Sequence, residues 1–215
     1  MTEEKFRVLI PVGPLGESLP RMDVPDVVRR DLALAFALDT VAVAVRCSAV
    51  EDVVVVTRDP EVAAAFGDLQ VQVLEAVDTS GVSSVISAAY AEVRKRVVPT
   101  AVLMSDLPAL MPDELYAALT RVTTWHRSVF ASELLGDGTT FYAGRPNGFR
   151  PTFGRRSASW NDSAGALRIG NDLPGLRCDV DDLEGLAVAK YLGVGAHTSL
   201  VLDRHPKLRS LKLTG

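Results

Sequence analysis

Carboxylates placed at the ends of apolar runs are the strongest chemical signal in this 215-residue chain. At Met104-Ser105-Asp106-Leu107-Pro108-Ala109-Leu110 an apolar run delivers an aspartate, and the nearby proline steers the chain away from helix. Open parallel sheets bind ligands at the carboxyl ends of their strands. An aspartate there can hold Mg²⁺ against phosphates, hard oxygen on a hard cation, or it can simply cap the next turn. A second segment reads Leu176-Arg177-Cys178-Asp179-Val180-Asp181. The alternation predicts a short strand with Asp179 and Asp181 on one face. Asp179, charged inside an apolar segment, needs a partner and is assigned to metal. Asp181 is assigned to capping the helix that starts at Asp182. A third pair of segments is Gly136-Asp137-Gly138-Thr139-Thr140 and Phe153-Gly154-Arg155-Arg156-Ser157. Their glycines let backbone N–H groups approach an anion and their hydroxyls add donors, although the same residues also make ordinary turns.

Other chemistries lose their support. The three histidines, His126, His197 and His205, lack metal-ligand spacing and are expected at the surface. No nucleophile elbow, Walker loop or GxGxxG is present. Cys47 and Cys178 cannot build a disulfide framework, and a reducing cytoplasm is the expected compartment. A net charge of −4 argues against non-specific nucleic-acid binding. The longest apolar stretch, 32–45, is broken by Asp39 and Thr40, so no membrane span is expected. The start MTEEKF is charged where an export signal would need an apolar core, so no export is expected. With 47% hydrophobic and 23% charged residues the chain is an ordinary globular protein, not a disordered one.

The elements that must position these residues alternate. Residues 6–12, 52–57 and 100–104 read as buried strands and 71–74 as a brief one. Residues 27–47, 60–66, 83–96 and 112–122 read as the helices between them, with Pro60 and Pro112 in first turns. Residues 129–132 and 139–143 flank the Gly136–Gly138 turn as paired strands. The rhythm predicts a single α/β domain over 1–215 with a mainly parallel sheet, in which 6–12, 52–57 and 100–104 are parallel neighbours. Residues 145–176, rich in Gly, Pro, Asn and Arg, are expected to form a lobe or flap. Residues 182–192 read as the final helix, and the tail from His197 is expected to dock on the body or on a second subunit.

Taken in order, IPV, SDLPAL, GDGTT, F-x-P-x-FG-x-x-S and LPGLRCDVDDLEGLAVAKYLGVG resemble the CofC/FbiD family over roughly residues 6–198. Those guanylyltransferases make the activated phospho-compound that enters biosynthesis of the deazaflavin coenzyme F-420. The resemblance implies a nucleotide-diphospho-sugar transferase-like fold, a Rossmann-like mixed sheet flanked by helices. It implies GTP and a phosphorylated three-carbon acid (phosphoenolpyruvate or 2-phospho-L-lactate) as substrates. Mg²⁺ is then held by Asp106 and Asp179, also the catalytic pair, and the acid by Thr139, Gly154 and Ser157. Arg21, Gly81 and Ser83 fall on the nucleotide side. A homodimer and contact with a downstream enzyme of that biosynthesis are left open. The sequence departs from the family where lysines are expected: Gly13 and Leu19 stand in the first loop, which loses about 1.5–3 kcal/mol of phosphate interaction at each. Gly81-Val82-Ser83 replaces Gly-Leu-Asn, and Asn161 stands where a histidine is expected. A catalytically weak paralogue that binds a phosphorylated acid, or a transferase using another nucleotide, are the alternative readings.

Overall fold

The computed structural model describes residues 4–67, 69–77 and 81–213. Its centre is a seven-stranded sheet in the order β3-β2-β1-β4-β6-β5-β7. β1 (Phe6–Pro11) pairs in parallel with β2 (Val50–Thr57) on one side and with β4 (Thr100–Leu103) on the other, and β3 (Gln72–Glu75) continues in parallel beyond β2. The three strands expected to be parallel neighbours are therefore so. β6 (Thr139–Gly144) runs antiparallel to both its neighbours, β4 and β5 (Val129–Ser132), and β7 (Leu167–Ile169) lies parallel to β5 at the edge.

These directions decide where chemistry can gather. The carboxyl ends of β1 to β5 and β7 and the amino end of β6 all lie along one edge of the sheet. The chain leaves β1 toward β2 and returns beyond β1 at β4, so the switch point that opens a ligand crevice falls between β1 and β4.

The strands are almost continuously apolar because both faces are covered. Val8, Ile10, Val53, Val55, Ala101 and Leu103 pack on one face with α1 (Asp26–Arg46), α2 (Pro60–Gly67) and α4 (Pro112–Trp125). Leu9, Val54, Val56, Val102, Phe130 and Tyr142 pack on the other with α3 (Val82–Val93) and α5 (Ser157–Ser163). A third cluster joins Leu32, Ala35 and Phe36 of α1 to α7 (Leu183–Leu192), α8 (Ala196–Arg204) and α9 (Pro206–Arg209). The helix 183–192 is thus not the last, and the tail docks on its own body through α8. Asp39, which interrupts the apolar run of α1, is 5% exposed and accepts the backbone N–H groups of His197 and Thr198, 2.9 Å each, at the start of α8. No helix of the described residues is long and apolar enough to cross a membrane.

Two expectations need correction. Residues 145–176 do not form a lobe: they contain a 3-10 turn at 146–148, α5, the edge strand β7 and α6 (Pro174–Arg177), all built onto the sheet. Nor is 176–181 a strand. Its backbone groups bond to different elements instead of one ladder: the Arg177 carbonyl accepts from Leu134 N–H, the Leu176 carbonyl from the Thr140 hydroxyl, and Val180 N–H donates to the Asp106 carbonyl.

Candidate active site

Asp106 sits three residues beyond β4, on a loop gripped from three directions. The Thr40 hydroxyl of α1 accepts from Leu107 N–H and donates to the Ser105 carbonyl, both at 3.3 Å. Val180 N–H holds the Asp106 carbonyl at 3.0 Å, and Gly195 N–H holds the Pro108 carbonyl at 2.8 Å. Thr40, the other interruption of the apolar run of α1, therefore positions this loop. The Asp106 carbonyl is engaged while its Oδ1 is sealed from solvent with no hydrogen-bond partner. A buried carboxylate oxygen left in that state is costly unless a ligand satisfies it.

Three further carboxylates face it. Burial, then the charges of Asp181 and Glu133, push the Asp106 pKa up to about 7. Burial, then Asp106, Glu133 and Asp181, push that of Asp179 up to about 8. Glu133 is likewise raised, by burial and by Asp181 and Asp137, with Arg21 opposing. The group fits Mg²⁺: every donor is a hard carboxylate oxygen, and one is an orphan. Among the described residues no group of three or more His, Cys, Asp or Glu side chains is placed to hold a metal ion, so an ion here takes at most two of these carboxylates. That suits an ion which takes one or two carboxylates and completes its shell with water and substrate phosphates.

Asp181 was expected to cap the following helix, but Asp182 does so, its Oδ1 accepting Gly185 N–H at 2.9 Å. Asp181 instead faces the cavity described below and pairs with Arg21. Glu133 follows β5, and its backbone is tied down by Arg177, which donates to the carbonyls of Ser132 and Glu133 at 3.0 and 3.1 Å. The anion cradled by Gly136 and Gly138 is this chain's own: a Cβ on either residue would stand 1.9 or 1.8 Å from a Glu133 carboxylate oxygen.

Beside the carboxylates a cavity of about 380 Å³ runs across the carboxyl ends of β3, β2, β1 and β4. Its walls include Phe36, Val56, Val82 and Val85, and among the described residues its charged lining side chains are Glu17, Arg58, Asp106 and Asp181. Gly81, at the start of α3, lines it; Ser83 does not. The Ser83 hydroxyl donates to the Phe153 carbonyl at 3.0 Å and accepts its N–H at 2.9 Å, so it fastens α3 to the loop of Gly154.

Thr139, Gly154 and Ser157 do come together. The Ser157 hydroxyl donates to Thr139 Oγ1 at 2.8 Å, and Ser157 N–H bonds the Gly154 carbonyl. Both hydroxyls are buried and face each other, not the cavity that Asp106 and Asp181 line. Gly154, at φ +96°, has open space where a side chain would project, so its backbone is the approachable part of the cluster. Asn161 ties the cluster together, donating to Thr139 Oγ1 and the Thr152 carbonyl while accepting Thr152 N–H. His126 and His197 are exposed and His205 half-buried.

Sequence reasoning missed Glu133, Glu17, Arg58 and the true role of Asp181. Arg58 and Glu133 each follow a buried strand by one residue, and the rule that singled out Asp106 applies to both.

No family model matches the chain. Curated relatives do. A phosphoenolpyruvate guanylyltransferase from Thermomonospora curvata is 37% identical over 209 residues, covering 95% of this chain and 91% of the relative. One from Salinispora arenicola is 38% identical over 200 residues, covering 91% and 92%. Among solved structures, a nucleotide-diphospho-sugar transferase-type protein from Desulfovibrio desulfuricans superposes with a TM-score of 0.73 at 15% identity, over 98% of this chain and all of that one. A nucleotidyl transferase from Methanothermobacter gives 0.59 at 15% identity, over 87% and 97%. The structural likeness establishes the nucleotide-diphospho-sugar transferase-like fold. The sequence identity, sustained over nine-tenths of each chain, goes further: the protein belongs to the phosphoenolpyruvate guanylyltransferase (CofC) family of nucleotidyltransferases.

Proposed function

We propose that this protein transfers the GMP moiety of GTP to the phosphate of phosphoenolpyruvate, or of 2-phospho-L-lactate, and releases pyrophosphate. In this reading it is a Mg²⁺-dependent enzyme of the cytoplasm, serving coenzyme F-420 biosynthesis. The names of its relatives support the two substrates. The observation that carries the chemistry is the orphaned Asp106 oxygen, among carboxylates, at the end of a cavity over the switch point.

Asp106 and Asp179 are the residues that would hold the metal. Bound there, Mg²⁺ supplies charge neutralisation on the transferring phosphates. The acid's phosphate is anionic at neutral pH, so its oxygen can attack the α-phosphorus without a base. A new P–O bond forms as the bond to the bridging oxygen of the β-phosphate breaks, and pyrophosphate leaves with that electron pair. The residues around the site serve accordingly as holders: the Gly154 backbone is open to the acid, and Thr139, Ser157 and Asn161 brace it from beneath. Arg21, exposed and paired with Asp181, is the cation beside the metal end.

The test is pyrophosphate release with Mg²⁺, using each of the four ribonucleoside triphosphates with each acid, and a second run coupled to a downstream enzyme that consumes a labile product. Mg²⁺-dependent release with GTP and one acid is expected. Release with another nucleotide would shift the reading to a different transferase. Binding of the acid with no release under any condition would make this a binding paralogue.

A further inference from the structure

The cavity has two unlike ends. Adjacent strands lie about 4.8 Å apart, so the ends of β2 and β4, separated by β1, are roughly 10 Å apart. Among the described residues the charged lining groups at β4 are the carboxylates Asp106 and Asp181, and at β2 they are Glu17 and Arg58. The first loop spans the two. Leu15 N–H is fixed to Asp59 Oδ2 at 2.9 Å, just beyond β2, while Arg21 is fixed to Asp181. Asp59 is itself a firm anchor: burial alone would raise its pKa, yet the N–H groups of Leu15, Glu61 and Val62 and nearby Arg30 bring it below the ordinary range. Glu17 is therefore held at the β2 end, where Arg58 Nη2 lies 3.4 Å from each of its carboxylate oxygens.

Resting on the guanylyltransferase reading, we propose that Glu17 and Arg58 read the base of the nucleotide and select guanine. With the triphosphate at the carboxylate end, the base extends toward β2 and β3, between the apolar side chains of Val56, Ala76, Val82 and Val85. A carboxylate there would repel phosphate, but it is the right partner for the two adjacent donors of guanine, N1–H and the 2-amino group. A guanidinium beside it donates to O6, the neighbouring acceptor. Adenine presents a donor at position 6 and an acceptor at N1, the reverse order, so it would face Glu17 with an unpaired lone pair and Arg58 with an amino group. A site built to hydrogen-bond a specific edge rejects a mismatched ligand strongly because its own polar groups are left unpaired.

The experiment is a specificity switch. Gln at position 17 keeps the acceptor for N1–H but offers an amide N–H₂, which suits the C2 carbonyl of xanthine and not the amino group of guanine. Pyrophosphate release with phosphoenolpyruvate and Mg²⁺ is measured with GTP, ITP, XTP and ATP for the unmodified protein, Glu17→Gln and Arg58→Met. The unmodified protein should rank GTP over ITP over ATP. Glu17→Gln should lose at least about tenfold in kcat/KM with GTP and gain at least about tenfold with XTP. Arg58→Met should weaken GTP and ITP alike. An unchanged GTP-to-XTP ratio in Glu17→Gln overturns the proposal, as does a preference of the unmodified protein for ATP. Calorimetry with GMP and XMP keeps the question decidable without turnover: if nothing releases pyrophosphate the transfer reading fails, yet a reversed GMP-to-XMP affinity ratio in Glu17→Gln still supports base reading and an unchanged one still overturns it. Both side chains are substantially exposed, so thermal unfolding of the variants should match the unmodified protein.

Discussion

Asp39 in the middle of α1 and Asp106 beyond β4 are both carboxylates set among apolar side chains, and their surroundings are opposite. Asp39 receives two backbone N–H groups from the first turn of α8, where the helix N-terminus favours negative charge. Asp106 receives no donor at Oδ1 and faces the charges of Asp181 and Glu133. The region around Asp39 is a finished structural joint, whereas the region around Asp106 is held rigid through its backbone so that its side chain can remain unsatisfied. Stability is given up at the second place, as the metal-holding role proposed for Asp106 requires.

The largest effect should come from Asp106→Asn. Removing the charge leaves the loop contacts of Thr40, Val180 and Gly195 in place but takes away a carboxylate proposed to hold the metal. Activity should fall by about 10³-fold, the scale of losing roughly 4 kcal/mol of transition-state stabilisation. Thermal stability should stay equal or rise, since repulsion with Asp179 and Asp181 is relieved. A steep drop in melting temperature would instead put Asp106 in the same class as Asp39.

Asp39→Ala should show the mirror image. Two charge-assisted hydrogen bonds are lost and the α8 N-terminus is uncapped, for a cost of about 3 kcal/mol or more in unfolding free energy. Mg²⁺ affinity of the remaining folded fraction should be unchanged. Denaturant titration and calorimetry on one preparation measure both.

The third test uses pH. The folded chain holds protons on Asp106 and Asp179 up to about pH 7 and about pH 8, whereas ordinary carboxylates release theirs near pH 4. The folded state thus binds more protons than the unfolded state across that window, and metal-free stability from these two groups falls as pH rises through it. An Mg²⁺ ion held by this pair, as proposed, would bind its ionised form, so the gain in melting temperature on adding Mg²⁺ should widen from about pH 5.5 to about pH 8.5. Asp179→Asn should flatten the metal-free slope. A gain independent of pH would mean the metal binds elsewhere.

The same contrast explains what was legible in the sequence. The parallel strands 6–12, 52–57 and 100–104 showed themselves because their two faces are both buried and their residues are correspondingly apolar. Asp106 was legible because a charge directly after such a run has few reasons to be there. Asp181 and Asp182 were not separable by that logic: adjacent aspartates before a helix look alike, and only the path of 176–181, laced to Leu134, Thr140 and Asp106, turns one inward and leaves the other as cap. The glycines of the Gly136–Gly138 turn pointed to an anion, but not that the anion was Glu133, which depends on how tightly the hairpin folds back. Segment 145–176 read as irregular because β7 is only three residues long, too short for a periodic signal.

The smallest effect is expected at Ser83, which fastens α3 to the loop of Gly154. Its resemblance-based assignment is to the nucleotide, yet its hydroxyl both donates to and accepts from the backbone of Phe153, the residue before Gly154. Ser83→Ala removes both bonds and leaves the Phe153 N–H without its partner, for about 1 kcal/mol of stability. The Gly154 backbone, approachable from outside and strained at φ +96° for any other residue, loses the fastening that sets its position. The KM for the acid should therefore rise several-fold, while the KM for the nucleotide and the preference among bases stay as they were. Steady-state kinetics with each substrate varied in turn separates the cases. A rise confined to the nucleotide KM would return Ser83 to the nucleotide side, and would mean that α3 acts on the base through Ser83 as well as through Gly81.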